Sequence, residues 1–64
     1  MTESEIDEAA FRLVIYKLRE SASRSRVLAR DCLSATKEAE QIAVQTRAAE
    51  HFDRIATAEE AARA

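Results

Sequence analysis

Neither glycine nor proline occurs in this 64-residue sequence. Those residues supply the backbone angles of tight turns, hairpin loops and sheet corners, so a β architecture loses its usual punctuation. The absence of glycine also removes the loop on which phosphate-cradling motifs depend. Cys32 is the one cysteine and cannot close an intrachain disulfide. A single thiol suits a reducing compartment, so the cytoplasm is the expected location. Long apolar runs are missing too, and nothing approaches the ~18 residues needed to span a bilayer. The opening residues Thr2, Glu3, Ser4, Glu5 and Asp7 are acidic where a signal or transit peptide would be basic. The formal net charge is −2, which favours no class of partner.

What the chain does have is alanine, glutamate, arginine, leucine and glutamine, all strong helix formers. Such a composition reads as long helix or coiled coil, and the fold class follows as all-α. Large apolar side chains are few, and alanine makes up much of the remaining hydrophobic fraction. A domain this small buries only ~60% of the surface its unfolded chain exposes. Thin cores are usually supplemented by disulfides, a metal or oligomerisation, and only the last fits this sequence.

Thr2 with Glu5, or Ser4 with Asp7, has the spacing of an N-terminal capping box. A first helix is expected over about residues 4–20. Phe11, Val14, Ile15 and Leu18 form one apolar stripe on it, and Ile6, Ala9, Ala10 and Leu13 form a second beside it. A surface helix with one neighbour needs a single stripe a little over 100° wide, so this helix is expected to have two neighbours. FRLVIYKL at residues 11–18 could also be read as a buried strand, but no second strand candidate exists to pair with it.

From Leu28 a seam with steps mainly of three and four runs through Cys32, Ala35, Ala39, Ile42, Thr46, Ala49, Phe52 and Ala56. Traced backward, it passes through Ser25 and Ser21 before reaching Leu18, Val14 and Phe11. Serine favours caps and turns, so a polar bend at about 21–25 is the preferred reading, with a long helix over about 26–62. Two alternatives stand beside it. A turn near Asp31 to Thr36 would give arms of nearly equal length, with Asp31, Ser34 or Thr36 as the new cap. One continuous helix is favoured by the Glu20–Arg24 spacing. Thr57 with Glu60 resembles another capping box, which would place a break near 57. Glu8–Arg12, Glu50–Arg54 and Glu59–Arg63 repeat the i,i+4 acid-then-base order of solvated helix faces.

Arg12, Arg19, Arg26, Arg30 and Lys37 lie within about 40° of one another on a continuous helix, forming a basic ridge roughly 37 Å long. Such a ridge could follow nucleic-acid phosphates. It could equally be a solvated face, or meet acidic residues of an antiparallel partner. No aromatic residue is interleaved for base stacking. His51 has no metal-ligand neighbour three or four positions away, where Arg47, Ala48, Arg54 and Ile55 stand. Cys32 lies on the seam, where a small buried hydrophobe is the ordinary role. Glu38, Glu40, Glu50 and Asp53 lack the ExxH spacing of di-iron bundles. The residues therefore point to no catalytic, metal or cofactor site, and to no membrane partner.

Glu8-Ala9-Ala10-Phe11-Arg12 followed by Leu18-Arg19-Glu20 resembles the opening of a small, functionally uncharacterised bacterial helical family. Arg30-Asp31-Cys32-Leu33-Ser34 is similar to that family's RNCLS segment. The spacing between the stretches is shorter here, and Ala29 stands where the family carries a further cysteine. The resemblance implies an all-α fold and supplies no activity.

The sequence thus predicts a helical hairpin or bent long helix that assembles into a dimeric four-helix bundle or antiparallel coiled coil. Its expected role is a protein–protein interaction and oligomerisation module or small regulator, most simply a homodimer. Expected interface residues are Phe11, Val14, Leu18, Leu28, Cys32, Ala35, Ala39, Ile42, Ala49 and Phe52. The alternative is a small RNA- or DNA-binding regulator using the basic ridge.

Overall fold

The computed structural model describes residues 1–31 and 36–64, with side chains described for 1–31 and 39–64. The described residues are almost entirely helical, in two elements: α1, Glu3–Asp31, and α2, Thr36–Arg63. Thr2 caps α1. The Glu5 amide donates to Thr2 Oγ1 at 3.2 Å, and the Thr2 amide and hydroxyl donate to Glu5 Oε1 at 3.1 and 3.0 Å. This is the reciprocal capping box that the Thr2–Glu5 spacing predicts. Both donors stabilise the ionised carboxylate, and they hold the Glu5 pKa below its ordinary value; the backbone bond is the larger cause.

α1 runs without interruption through residues 21–25, so the preferred bend is not there. Ser21, Ala22 and Ser25 are helical, and Ala22 and Ser25 are buried. Their small side chains serve close packing against α2. Lys17–Glu20 and Glu20–Arg24 pairs, each at 4.0 Å, span the same stretch. The helices instead end and begin at Asp31 and Thr36, matching the alternative that divides the chain into near-equal arms. Residues 32–35, including Ser34 as a candidate cap, lie outside the described residues. α2 also continues unbroken past Thr57 to Arg63, so Thr57 and Glu60 do not start a new helix.

The helices pack on each other in antiparallel fashion, since Arg19 reaches Asp53 and Glu60 while Glu8 reaches Arg63. The contact line on α1 runs through Phe11, Ile15, Leu18, Ala22, Ser25 and Ala29, in steps of four and three. On α2 it runs through Gln45, Ala49, Phe52 and Ala56. Buried apolar residues on this line are Ala22, Ala29, Ala49 and Ala56, and no large side chain is fully buried among the described residues. Alanines completely covered by a neighbouring helix require an interaxial distance near the low end of the usual 8–10 Å.

The molecule measures 53 × 20 × 11 Å. Its radius of gyration is 15.4 Å, against ~11 Å for a compact domain of this length. A thickness of 11 Å is that of one helix with its side chains. Among the described residues the hairpin is therefore a single layer, and neither helix has a neighbour above or below it.

Candidate interaction surface

One long edge of the layer carries charge. Asp53 receives Arg19 Nη1 at 3.4 Å and a second, closer bond from Arg26. Arg19 also reaches Glu60. Farther toward the open end, Glu8 accepts from Arg63 at 3.1 Å and pairs with Arg12 at 3.4 Å. The Arg63 guanidinium lies 4.2 Å from the centroid of the Phe11 ring, a cation–π contact that closes this end of the hairpin. These side chains are half exposed, so each pair contributes modestly to stability. What the pairs between helices fix is register: a slip of α2 by one turn would break Arg19–Asp53, Arg19–Glu60, Arg26–Asp53 and Arg63–Glu8 together.

This arrangement decides much about the basic ridge. Arg12, Arg19 and Arg26 each face a carboxylate, and Arg30 Nε lies 3.5 Å from Asp31. The Lys37 side chain lies outside the described residues. A phosphate backbone would have to displace Asp53 and Glu60 from Arg19 and Arg26 before using them. Of the other expected i,i+4 pairs, Glu8–Arg12 forms, whereas Glu50 turns to Arg47 at 3.4 Å and Arg63 to Glu8. Arg54 Nη1 donates to His51 Nδ1 at 3.2 Å.

The residues expected at a partner interface divide into groups. Phe11, Leu18, Ala49 and Phe52 lie on the contact line between α1 and α2. Val14, Leu28, Ala39 and Ile42 remain exposed. Cys32 and Ala35 lie outside the described residues. Ile6, Leu13, Tyr16, Val27, Val44 and Ile55 are exposed as well, so most of the large apolar residues point outward.

A second stripe on α2 was not legible as such from the seam beginning at Leu28. Val44, Ala48, His51, Ile55, Ala58 and Ala62 follow steps of four and three on a face separate from the contact line. The spacing itself was the available signal, masked by the parallel Ala49–Phe52–Ala56 line one residue away. Ala43, Val44, Arg47, Ala48 and His51 line a shallow depression along this stripe, too open to enclose a small molecule. Among the described residues, no three histidine, cysteine, aspartate or glutamate side chains come together as a metal site. No described helix is long and apolar enough to cross a membrane. No protein-family model, curated protein or solved structure matches the chain.

Proposed function

We propose that this chain is a self-associating helical module in which two hairpin layers stack as a four-helix bundle. The assembled surface would serve protein–protein interaction, as an assembly domain or a small regulator, without catalysis. The observation that carries this reading is the single-layer shape together with its surface area. A folded monomer of 7.2 kDa ordinarily exposes ~4,100 Å², whereas this chain exposes 5054 Å². The excess of ~900 Å² is close to the ~800 Å² that each partner buries in a standard interface. Stacking a second layer on the first gives every helix the two neighbours of a bundle. It also supplies an interior to a fold whose buried apolar residues, among those described, are alanines.

Light scattering at micromolar concentration tests the proposal. The expected mass is twice the 7.2 kDa of the chain. A folded monomer across that range would end it. Nucleic-acid binding through Arg19 and Arg26 is the rival outcome, and it requires a salt-dependent affinity that alanine at both positions reduces.

A further inference from the structure

We infer that the second copy docks on the broad face formed jointly by α1 and α2 opposite the side that holds Arg19, Arg26, Asp53 and Glu60. The inference rests on the self-association reading and names its surface. The placement follows from helical geometry. Residues nine apart lie half a turn apart, since each residue advances about 100°. Leu28 is nine residues from Arg19, and Val44 and Ala62 are each nine from Asp53. Arg19 and Asp53 bond to each other on one side of the layer, so Leu28, Val44 and Ala62 all lie on the other. Val14 and Ile55 fall within roughly 40° of the same direction on their own helices. The two helices therefore present one combined apolar face: Val14 and Leu28 from α1, with Val44, Ala48 and Ile55 from α2. Leu28 is 49% exposed and Val44 58% exposed.

The chemistry of the rim favours a copy of the same chain over an oppositely charged partner. On α1 the face also carries Lys17 and Arg24, within about 40° of Leu28, and Glu20 lies 4.0 Å from both. Arg47 flanks it on α2 and is paired to Glu50 at 3.4 Å. These cations are matched by carboxylates on their own helices. The face offers apolar area without a strong field of one sign, as a self-complementary two-fold interface needs. The ~900 Å² surface excess of each chain is the amount such a contact would cover. The ion-paired side is a poor competitor, because its charged groups would lose water on docking.

Three single substitutions in the full chain test the placement by sedimentation. Val44→Glu and Leu28→Glu put a carboxylate on the proposed face, and two-fold symmetry places each change twice. Both should raise the dimer dissociation constant by at least about a hundredfold. Tyr16→Glu changes an equally exposed residue on the outer edge of α1, at 61% exposure, and should leave the dimer intact. Dissociation by Tyr16→Glu with retention in Val44→Glu would overturn the face while leaving self-association standing. A monomeric parent chain would remove both. Variants that cannot fold as monomers are bypassed by a measurement on the unaltered dimer: methyl signals with a soluble paramagnetic agent. Val14, Leu28, Val44 and Ile55 methyls should be shielded while those of Val27, about 100° from Leu28 and 40% exposed, broaden. The reverse pattern would refute the assignment.

Discussion

Ala22 on α1 and Ala56 on α2 are each 0% exposed, and Ala49 is 1% exposed. Because an alanine methyl extends so little, complete cover means that the opposing helix lies against the backbone itself. Ala22→Leu adds three carbons where no space exists for them. If the helices could accommodate the new side chain in place, its burial would stabilise by ~1.5–3 kcal/mol. Held at close approach, they must instead move apart or force an unfavourable rotamer, costing about 1–3 kcal/mol. For a chain of this size that lowers the melting temperature by roughly 5–20 °C. The assay is thermal unfolding followed by circular dichroism at one fixed chain concentration, since melting of an associating protein depends on it. Ala61→Leu, the same chemical change on an exposed part of α2, is the control. It should alter stability by no more than about 0.5 kcal/mol. An Ala22→Leu protein as stable as Ala61→Leu would refute the claim that alanines set the helix spacing.

Other consequences follow from the cap, the charges and the buried hydroxyl of Ser25. A double-mutant cycle on Arg26 and Asp53 should give a coupling of ~0.2–1 kcal/mol at low salt, shrinking as salt is added, because both side chains are partly exposed. A coupling of zero at low salt would remove the register role assigned to that pair. Glu5 should titrate below its ordinary range by carbon-13 NMR, and Thr2→Val should raise its pKa only part of the way back, because the residue 2 amide still donates. The folded-state value is the lower one, so the stabilisation is complete above the unfolded-state pKa and is lost as pH falls through the folded-state pKa. An unchanged Glu5 titration in Thr2→Val would contradict the capping box. Ser25→Ala should stabilise by about 0.5 kcal/mol, since it improves helix propensity and removes a buried hydroxyl from the contact line. Loss of stability would mean that the hydroxyl has a structural partner.

The sequence made the helices plain but not the place where they part. Absent glycine and proline, the Thr2–Glu5 cap and the three-and-four spacing of Phe11, Leu18, Ala49, Phe52 and Ala56 all carried through to the structure. The bend failed at Ser21 and Ser25 because the same property, a small side chain, serves both a turn and a close helix contact. Propensity alone cannot separate those uses; the burial of Ala22 and Ser25 beside α2 does. The α2 seam was ambiguous for a related reason. Two apolar lines run side by side on that helix, and toward Thr36 the sequence follows Ile42 and Thr46 where the contact line takes Gln45. The basic ridge was visible as a pattern, but its meaning was not. Only antiparallel register brings Asp53 between Arg19 and Arg26, and carboxylates that far along the chain have no local signal.

Sedimentation equilibrium and circular dichroism on one dilution series address the stacked-layer account most directly. If, as proposed, each layer draws its interior from a twin, mass and helical signal should fall together through a single concentration range. A chain that kept its full helical signal as a lone 7.2 kDa particle at every concentration would contradict the account.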